Sequence, residues 1–391
     1  MKDNILTLEI IEKLKIDRDL LEVVYYRDIT DEGHRLYSEL DSLYRELRTD
    51  ELKKMKSNPS AYSIDRVCML IDAKVFTSDE LIKEGLLLNG EIDRCPLPNL
   101  SQYYSEAIPS VAENSTDIFF WGLPQSGKTG LLMAMCAADG HNGWLLNIKK
   151  SWLAHALKQY YECGMTPFCC HGNSVINGVF FEKKNSKNII KHHINLIEVS
   201  SQVFLHKIVP GGMPGLDDLA ALLQNNNRKV FFILVDATSQ TCTFPYFNGK
   251  YVQHMNISQN DYLRQLISFF TSPENQSIMR KVDAIHIIVS KVDRLGCDKQ
   301  TQMYEAEALI KREYNQPLYE LDCYCQRSRR INYLTKYKPN IYTFSLGKFY
   351  LGDRFEGDLT EIFFLKEELK KMTLGMKQKT WWDKFIDMIK Q

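Results

Sequence analysis

An apolar run, Ile118-Phe-Phe-Trp121, leads directly into Gly122-Leu-Pro-Gln-Ser-Gly-Lys-Thr129, and Gly130-Leu-Leu-Met-Ala-Met-Cys-Ala-Ala138 follows without a break. No other segment constrains the fold as much. The order reads as a buried strand, a tight turn and a helix that begins inside the motif. Gly122 and Gly127 let the backbone turn closely, so that successive N–H groups and the positive end of the helix face an anion. Pro124, Gln125, Ser126 and Gly130 complete the cradle, Lys128 supplies charge for β- and γ-phosphates, and the Thr129 hydroxyl suits Mg²⁺. The expectation is a phosphate-binding loop in a layered α/β fold.

The 391 residues are enough for two or three domains, and 44% hydrophobic content is enough for a core. Lys plus Arg and Asp plus Glu number 49 each, so no global field points to nucleic acid or to an acidic membrane. The opening Met-Lys-Asp-Asn-Ile-Leu-Thr lacks a signal-peptide core, and no apolar run approaches membrane-spanning length, which predicts a cytoplasmic protein. Ten cysteines without framework spacing suggest reduced thiols. Cys163, Cys169, Cys170 and His171, and the pair Cys323 and Cys325, lack the two-residue gap of zinc knuckles.

Residues 1–112 read as a helical accessory domain, with Leu36, Leu40, Leu43 and Leu47 marking one buried face. From about 113 to 374 short apolar runs alternate with polar helical stretches, the pattern of an α/β domain. Strands are expected at Val175 to Lys183, Ile189 to Ser200, Val230 to Val235, Ala284 to Val289 and Ile341 to Phe344. The connector Lys184-Asn-Ser-Lys-Asn188 is too short for a crossover, so the first two form an antiparallel pair. Helices fit Gly215 to Leu223, Asp261 to Phe270, Gln300 to Tyr314 and Asp358 to Met372, and Ala237 to Asn260 suits an ordered insertion. Residues 375–391 form an amphipathic tail with Trp382, Phe385, Ile386 and Ile389 on one face. The tail or the helical domain is where a protein partner is expected; peripheral membrane contact is not favoured, because Asp383 and Asp387 oppose an anionic surface.

A hairpin after the phosphate loop, followed by alternating strands and helices, resembles the translation-factor class of GTPases. That likeness implies a Ras-like P-loop domain with a mixed, mostly parallel sheet, here preceded by an α-helical domain. Ser290-Lys-Val-Asp293 resembles the Asn/Thr-Lys-x-Asp guanine motif, implying that Asp293 accepts from guanine N1 and the exocyclic amine while the Lys291 stem covers the base. Ser290 departs from the usual Asn or Thr. Ser345-Leu346 resembles the Ser-Ala-x loop that meets the guanine oxygen. Where the class carries Asp-x-x-Gly, this chain has Glu198-Val-Ser-Ser201, followed by Gln202 at the water-orienting position. Glu198 and Thr166 join Thr129 as implied Mg²⁺ groups, and Lys128 and Gln202 as implied catalytic ones.

The arrangement is most similar to the bacterial double-GTPase type proteins of multi-component systems. It covers about residues 113–374 and implies GTP or GDP with Mg²⁺ as cofactors and a nucleotide-dependent switch, with slow hydrolysis. The altered second switch leaves a non-hydrolysing, nucleotide-bound scaffold as an alternative. A P-loop ATPase using Asp236 at the end of Val230-Phe-Phe-Ile-Leu-Val235 is another, though the antiparallel hairpin argues against it.

Overall fold

In the computed structural model the apolar run is β1 (Thr116–Trp121), buried at every residue. The structure describes residues 42, 45–46, 48–72, 75–88, 111–138, 151–167, 172–185, 188–208, 216–238, 241–247, 252–295, 298–328, 331–332, 339–351 and 354–369. The leucine stripe and the tail at 375–391 lie essentially outside these residues, as do Cys169, Cys170 and His171.

A strand with no polar face must be covered on both sides, and neighbouring strands provide the rest of its surroundings. After β1 come α1 (Lys128–Ala137), α2 (Trp152–Glu162), β2 (Ser174–Asn185), β3 (Asn188–Glu198), α3 (Ser201–Ile208), α4 (Leu216–Gln224) and β4 (Arg228–Asp236). Then follow β5 (Thr241–Phe247), β6 (Val252–Ser258), α5 (Gln259–Thr271), β7 (Val282–Ser290), α6 (Gln302–Glu313), α7 (Asn315–Ser328) and β8 (Ile341–Phe344). The main sheet has the order β2-β3-β1-β4-β7-β8. Only β2 runs antiparallel to its neighbour; the pairs β3·β1, β1·β4, β4·β7 and β7·β8 are parallel. This is the mixed, mostly parallel sheet expected, and the short connector joins an antiparallel pair as the spacing requires.

Alternate residues bury opposite faces. Phe119, Trp121, Ile197, Phe231, Ile233 and Ile287 share one core with Phe204 of α3, Leu222 of α4 and Leu266 and Phe270 of α5. Ile118, Phe120, Phe232 and Leu234 are equally buried, and α1, itself buried along almost its whole length, packs with α2. The expected insertion at 237–260 is a separate two-stranded hairpin of β5 and β6.

The chain divides into two units, Met1–Pro96 with Lys348–Glu356, and Leu97–Gly347 with Gly357–Gln391. In the first, helices at 48–57, Ile64–Asp72 and Ser78–Lys83 bury Met55, Val67, Leu70, Phe76 and Leu81 around a small core. Thr77 and Glu80 form a reciprocal capping box at the third helix. The distant segment contributes β9 (Gly347–Tyr350) and β10 (Arg354–Gly357), and Leu351 joins the core through its side chain and donates its N–H to Leu86 O at 2.8 Å.

Candidate nucleotide site

Sheet register determines what meets the loop. Phe120 is level with Glu198 of β3, Asp236 with Ser290, and Ser290 with Phe344. The glycine loop, Glu198, Ser290 to Asp293, and Ser345 with Leu346 therefore all lie at the carboxyl ends of strands, where open α/β sheets bind ligands.

The loop path depends on backbone that side chains rarely tolerate. Gly122 has φ 154°, and a Cβ there would sit 2.4 Å from Ser126 Oγ and 2.7 Å from Leu234 O. Its N–H donates to the hydroxyl of Tyr262 at 3.1 Å. Gln125 at φ 63° and Gly127 at φ 87° are left-handed, the alternation that turns backbone amides into an anion-binding concavity. Gly127 caps α1 without a side-chain hydrogen bond, so the first-turn amides are not capped by a side chain.

Lys128 curls back over this loop. Its Nζ donates to Gly122 O at 2.9 Å, Leu123 O at 2.8 Å and Ser201 Oγ at 2.9 Å. Beside it, Thr129 Oγ1 donates to Glu198 Oε1 at 2.6 Å. The carboxylate one methylene longer than the usual Asp thus reaches the loop threonine directly. Burial pushes the Glu198 carboxyl above its ordinary range, against the pull of Lys128 and the Thr129 hydrogen bond. Glu198 Oε2 is buried without a hydrogen-bond partner. A hydroxyl and a carboxylate with a spare oxygen fit Mg²⁺, which takes few protein ligands and completes its shell with phosphate and water. Among the described residues no cluster of three His, Cys, Asp or Glu side chains forms a fuller metal cage.

Ser290, the residue that departs from the guanine motif, bonds the loop: its Oγ lies 2.7 Å from Ser126 O and 3.2 Å from Val235 O. Lys291 is left-handed at φ 58°, and its Nζ contacts Asp236 Oδ2 at 2.6 Å. Asp236 Oδ1 accepts from the Thr238 N–H and hydroxyl, both at 2.9 Å. Asp236 therefore serves Lys291 and its own turn, while Glu198 serves Thr129. Asp293 sits in the short 3-10 turn Val292–Leu295, with Oδ1 buried and unpartnered. Burial raises its carboxyl despite its own backbone N–H, Arg294 and Lys291. Leu346 and Ser345 are buried, and a Cβ on Gly130 would lie 3.1 Å from Leu346 Cδ1, so the last loop rests on the first turn of α1.

One expected group does not join the cluster, and the side chain of another lies outside the described residues. Thr166 is exposed after α2 and, among the described residues, hydrogen-bonds neither Thr129 nor Glu198. Gln202 begins α3 after Ser201, and its side chain is outside the described residues. Sequence reasoning missed Tyr262 under Gly122, and Gln259, which accepts from the Asp236 N–H at 2.7 Å and donates to Tyr314 at 2.7 Å. Both lie on an amphipathic helix whose pattern reports only burial.

A cavity of about 730 Å³ opens at the other end of the sheet, lined by Thr116, Lys191, His193, Asn226 and Arg228. Behind it Asp117 accepts from Asn195 at 2.6 Å, Asn225 at 2.7 Å and Asn227 at 2.9 Å, with Lys229 Nζ at 3.6 Å. This network, buried at Asp117, Asn195 and Lys229 and half-buried at Asn225, joins β1, β3 and β4 on the side of the sheet away from the loop.

No family model and no curated protein matches the chain. Solved structures similar to it include the nucleolar GTP-binding protein 1 of Plasmodium falciparum, at 14% identity over 69% of this chain and 97% of that one, with a TM-score of 0.30. The signal recognition particle receptor SRb-GTP/SRX complex of Chaetomium thermophilum shares 13% identity over 60% and 92% of the two chains, with a TM-score of 0.26. The GTPase-like domain of Ski7 from S. cerevisiae, bound to GTP, shares 14% over 66% and 52%, with a TM-score of 0.29. At such scores the superpositions carry no argument; strand order and site geometry do.

Proposed function

We propose that this chain binds a guanine nucleotide with Mg²⁺ and works as a nucleotide-dependent switch. The observation that carries the base assignment is the buried, unpartnered Asp293 Oδ1, one turn beyond a strand end whose Ser290 hydroxyl is bonded to the phosphate loop. A buried acceptor without a donor is costly. Guanine offers adjacent N1 and exocyclic amino donors to such a carboxylate, whereas adenine has no donor at N1.

In this reading the loop amides and Lys128 hold the phosphates, Ser345 and Leu346 border the base, and Thr129 with Glu198 hold the metal. When bound, Mg²⁺ neutralises phosphate charge. Segments that respond to the γ-phosphate provide the switching motion. Ser201 in place of the motif glycine favours slow hydrolysis, with Gln202 as the proposed water-orienting group. A role in a bacterial multi-component system, with the N-terminal helices or the tail recruiting a protein partner, remains part of the proposal on resemblance alone.

Equilibrium titration of GTP, GDP and ATP with Mg²⁺ tests it, on the full chain and on Lys128→Ala and Asp293→Asn. Guanine-selective binding is expected, lost by at least about tenfold in each variant. ATP binding unaffected by Asp293→Asn would overturn the base assignment.

A further inference from the structure

Ser201 stands where the resembled class has glycine, yet it is not idle. Its one hydroxyl proton goes to the carbonyl of Gly122 at 2.6 Å, since that oxygen only accepts, and its lone pair receives the Lys128 ammonium at 2.9 Å. Lys128 is 5% exposed and Ser201 4%. Gly122 O and Leu123 O, which receive the ammonium, belong to the loop and stay with it, whereas Ser201 Oγ comes from another element. Ser201 is also the first residue of α3, whose Phe204 packs edge-on against Trp121 at 5.4 Å between ring centres, while the preceding Ser200 N–H is tied to Asn173 Oδ1 at 2.9 Å.

We infer that Ser201 is a latch which holds the phosphate-binding lysine in the empty site and is displaced by phosphate, so that occupancy of the loop is passed to α3 through a side chain. The inference rests on the nucleotide reading above. A phosphate oxygen carries a negative charge that the neutral Ser201 hydroxyl lacks, so it attracts the ammonium more strongly. It therefore receives the N–H that Lys128 donates to Ser201, leaving the Ser201 hydroxyl on Gly122 O. A serine acting instead as a phosphate ligand would have the opposite effect on affinity: removing a latch strengthens binding, and removing a ligand weakens it.

The test is titration of Mg²⁺ with GDP and with a non-hydrolysable GTP analogue on the full chain, Ser201→Ala and Ser201→Thr, together with hydrogen exchange of residues 201–208. The latch predicts that Ser201→Ala binds about tenfold tighter, the worth of one modest hydrogen bond, and that Ser201→Thr, which keeps the hydroxyl, matches the parent. It also predicts that α3 exchange in the parent rises on binding, whereas in Ser201→Ala it is already high without ligand and does not respond. Weaker or unchanged binding by Ser201→Ala, while the parent binds, overturns the latch alone; no binding by the parent overturns the nucleotide reading and the latch with it. GDP releasing α3 as fully as the triphosphate analogue would place the displacing oxygen on the β-phosphate and keep the latch.

Discussion

Replacing Gly122 by Ala asks whether the path of the loop, apart from its charges, makes the phosphate site. The added Cβ meets Ser126 Oγ at 2.4 Å and Leu234 O at 2.7 Å. The serine can rotate, but Leu234 is paired with Ile288 inside the β4·β7 ladder and its carbonyl cannot move without the strand. Overpacking of this kind costs about 1–3 kcal/mol, and a glycine-type backbone imposed on alanine adds about 1–3 kcal/mol. The expected loss is thus about 4 kcal/mol, a large part of the roughly 5–15 kcal/mol that holds a domain together. Gly130→Ala is the internal comparison. There the nearest atom is the flexible tip of Leu346 at 3.1 Å, and alanine gains about 1 kcal/mol in a helix, so stability should stay within about 1 kcal/mol of the parent. Urea midpoints give the difference, and hydrogen exchange of residues 116–121 shows whether β1 is where it is felt. Equal midpoints for the two variants would refute the steric account of the loop.

Two further predictions test the acid beside the loop and the buried network beneath it. Glu198→Gln keeps an acceptor for Thr129 at the same reach but removes the charge, so the gain in nucleotide affinity on adding Mg²⁺ should fall about 10–100-fold, read by titration with and without the metal. Lys229 is pushed down to about 8, first by burial and further by Lys281, with Asp117 opposing. From pH 8 upward the unfolded chain keeps a proton that the folded chain releases, so stability should rise by up to about 1.4 kcal/mol per pH unit. Urea midpoints between pH 8 and 9.5, compared between the parent and Lys229→Met, isolate this slope from that of Cys325, whose thiol burial pushes up to about 12 and which acts in the opposite sense, as buried tyrosines such as Tyr262 do at higher pH.

The parts of the site that could be read from sequence are those made by neighbours in the chain. A strand, a glycine turn and a helix lie within 22 consecutive residues, Thr116 to Ala137, and local sterics nearly dictate them. The antiparallel hairpin followed from connector length. What stayed hidden is made by groups far apart in sequence: Tyr262 under Gly122, Ser201 on Lys128, and the three asparagines on Asp117. Helix α3 was also missed, because Val203, Phe204 and Leu205 are consecutive apolar residues with no 3.6 period. Similarly, β5 carries Pro245 inside it and does not read as a strand.

Glu198 and Asp236 show why register supplies what a motif search cannot. β3 and β4 both flank β1, and each ends in an acid, so composition offers two candidates for the partner of Thr129. Phe120 pairs with Glu198 itself on one side but with Phe232 on the other. Asp236 lies four residues beyond Phe232, about 13 Å farther along the strand. The acid of β3 therefore stops beside the first turn of α1, while that of β4 overshoots to the level of Ser290 and meets Lys291. The division of labour, one carboxylate for the loop threonine and one for the lysine before Asp293, is thus a property of how three strands are aligned.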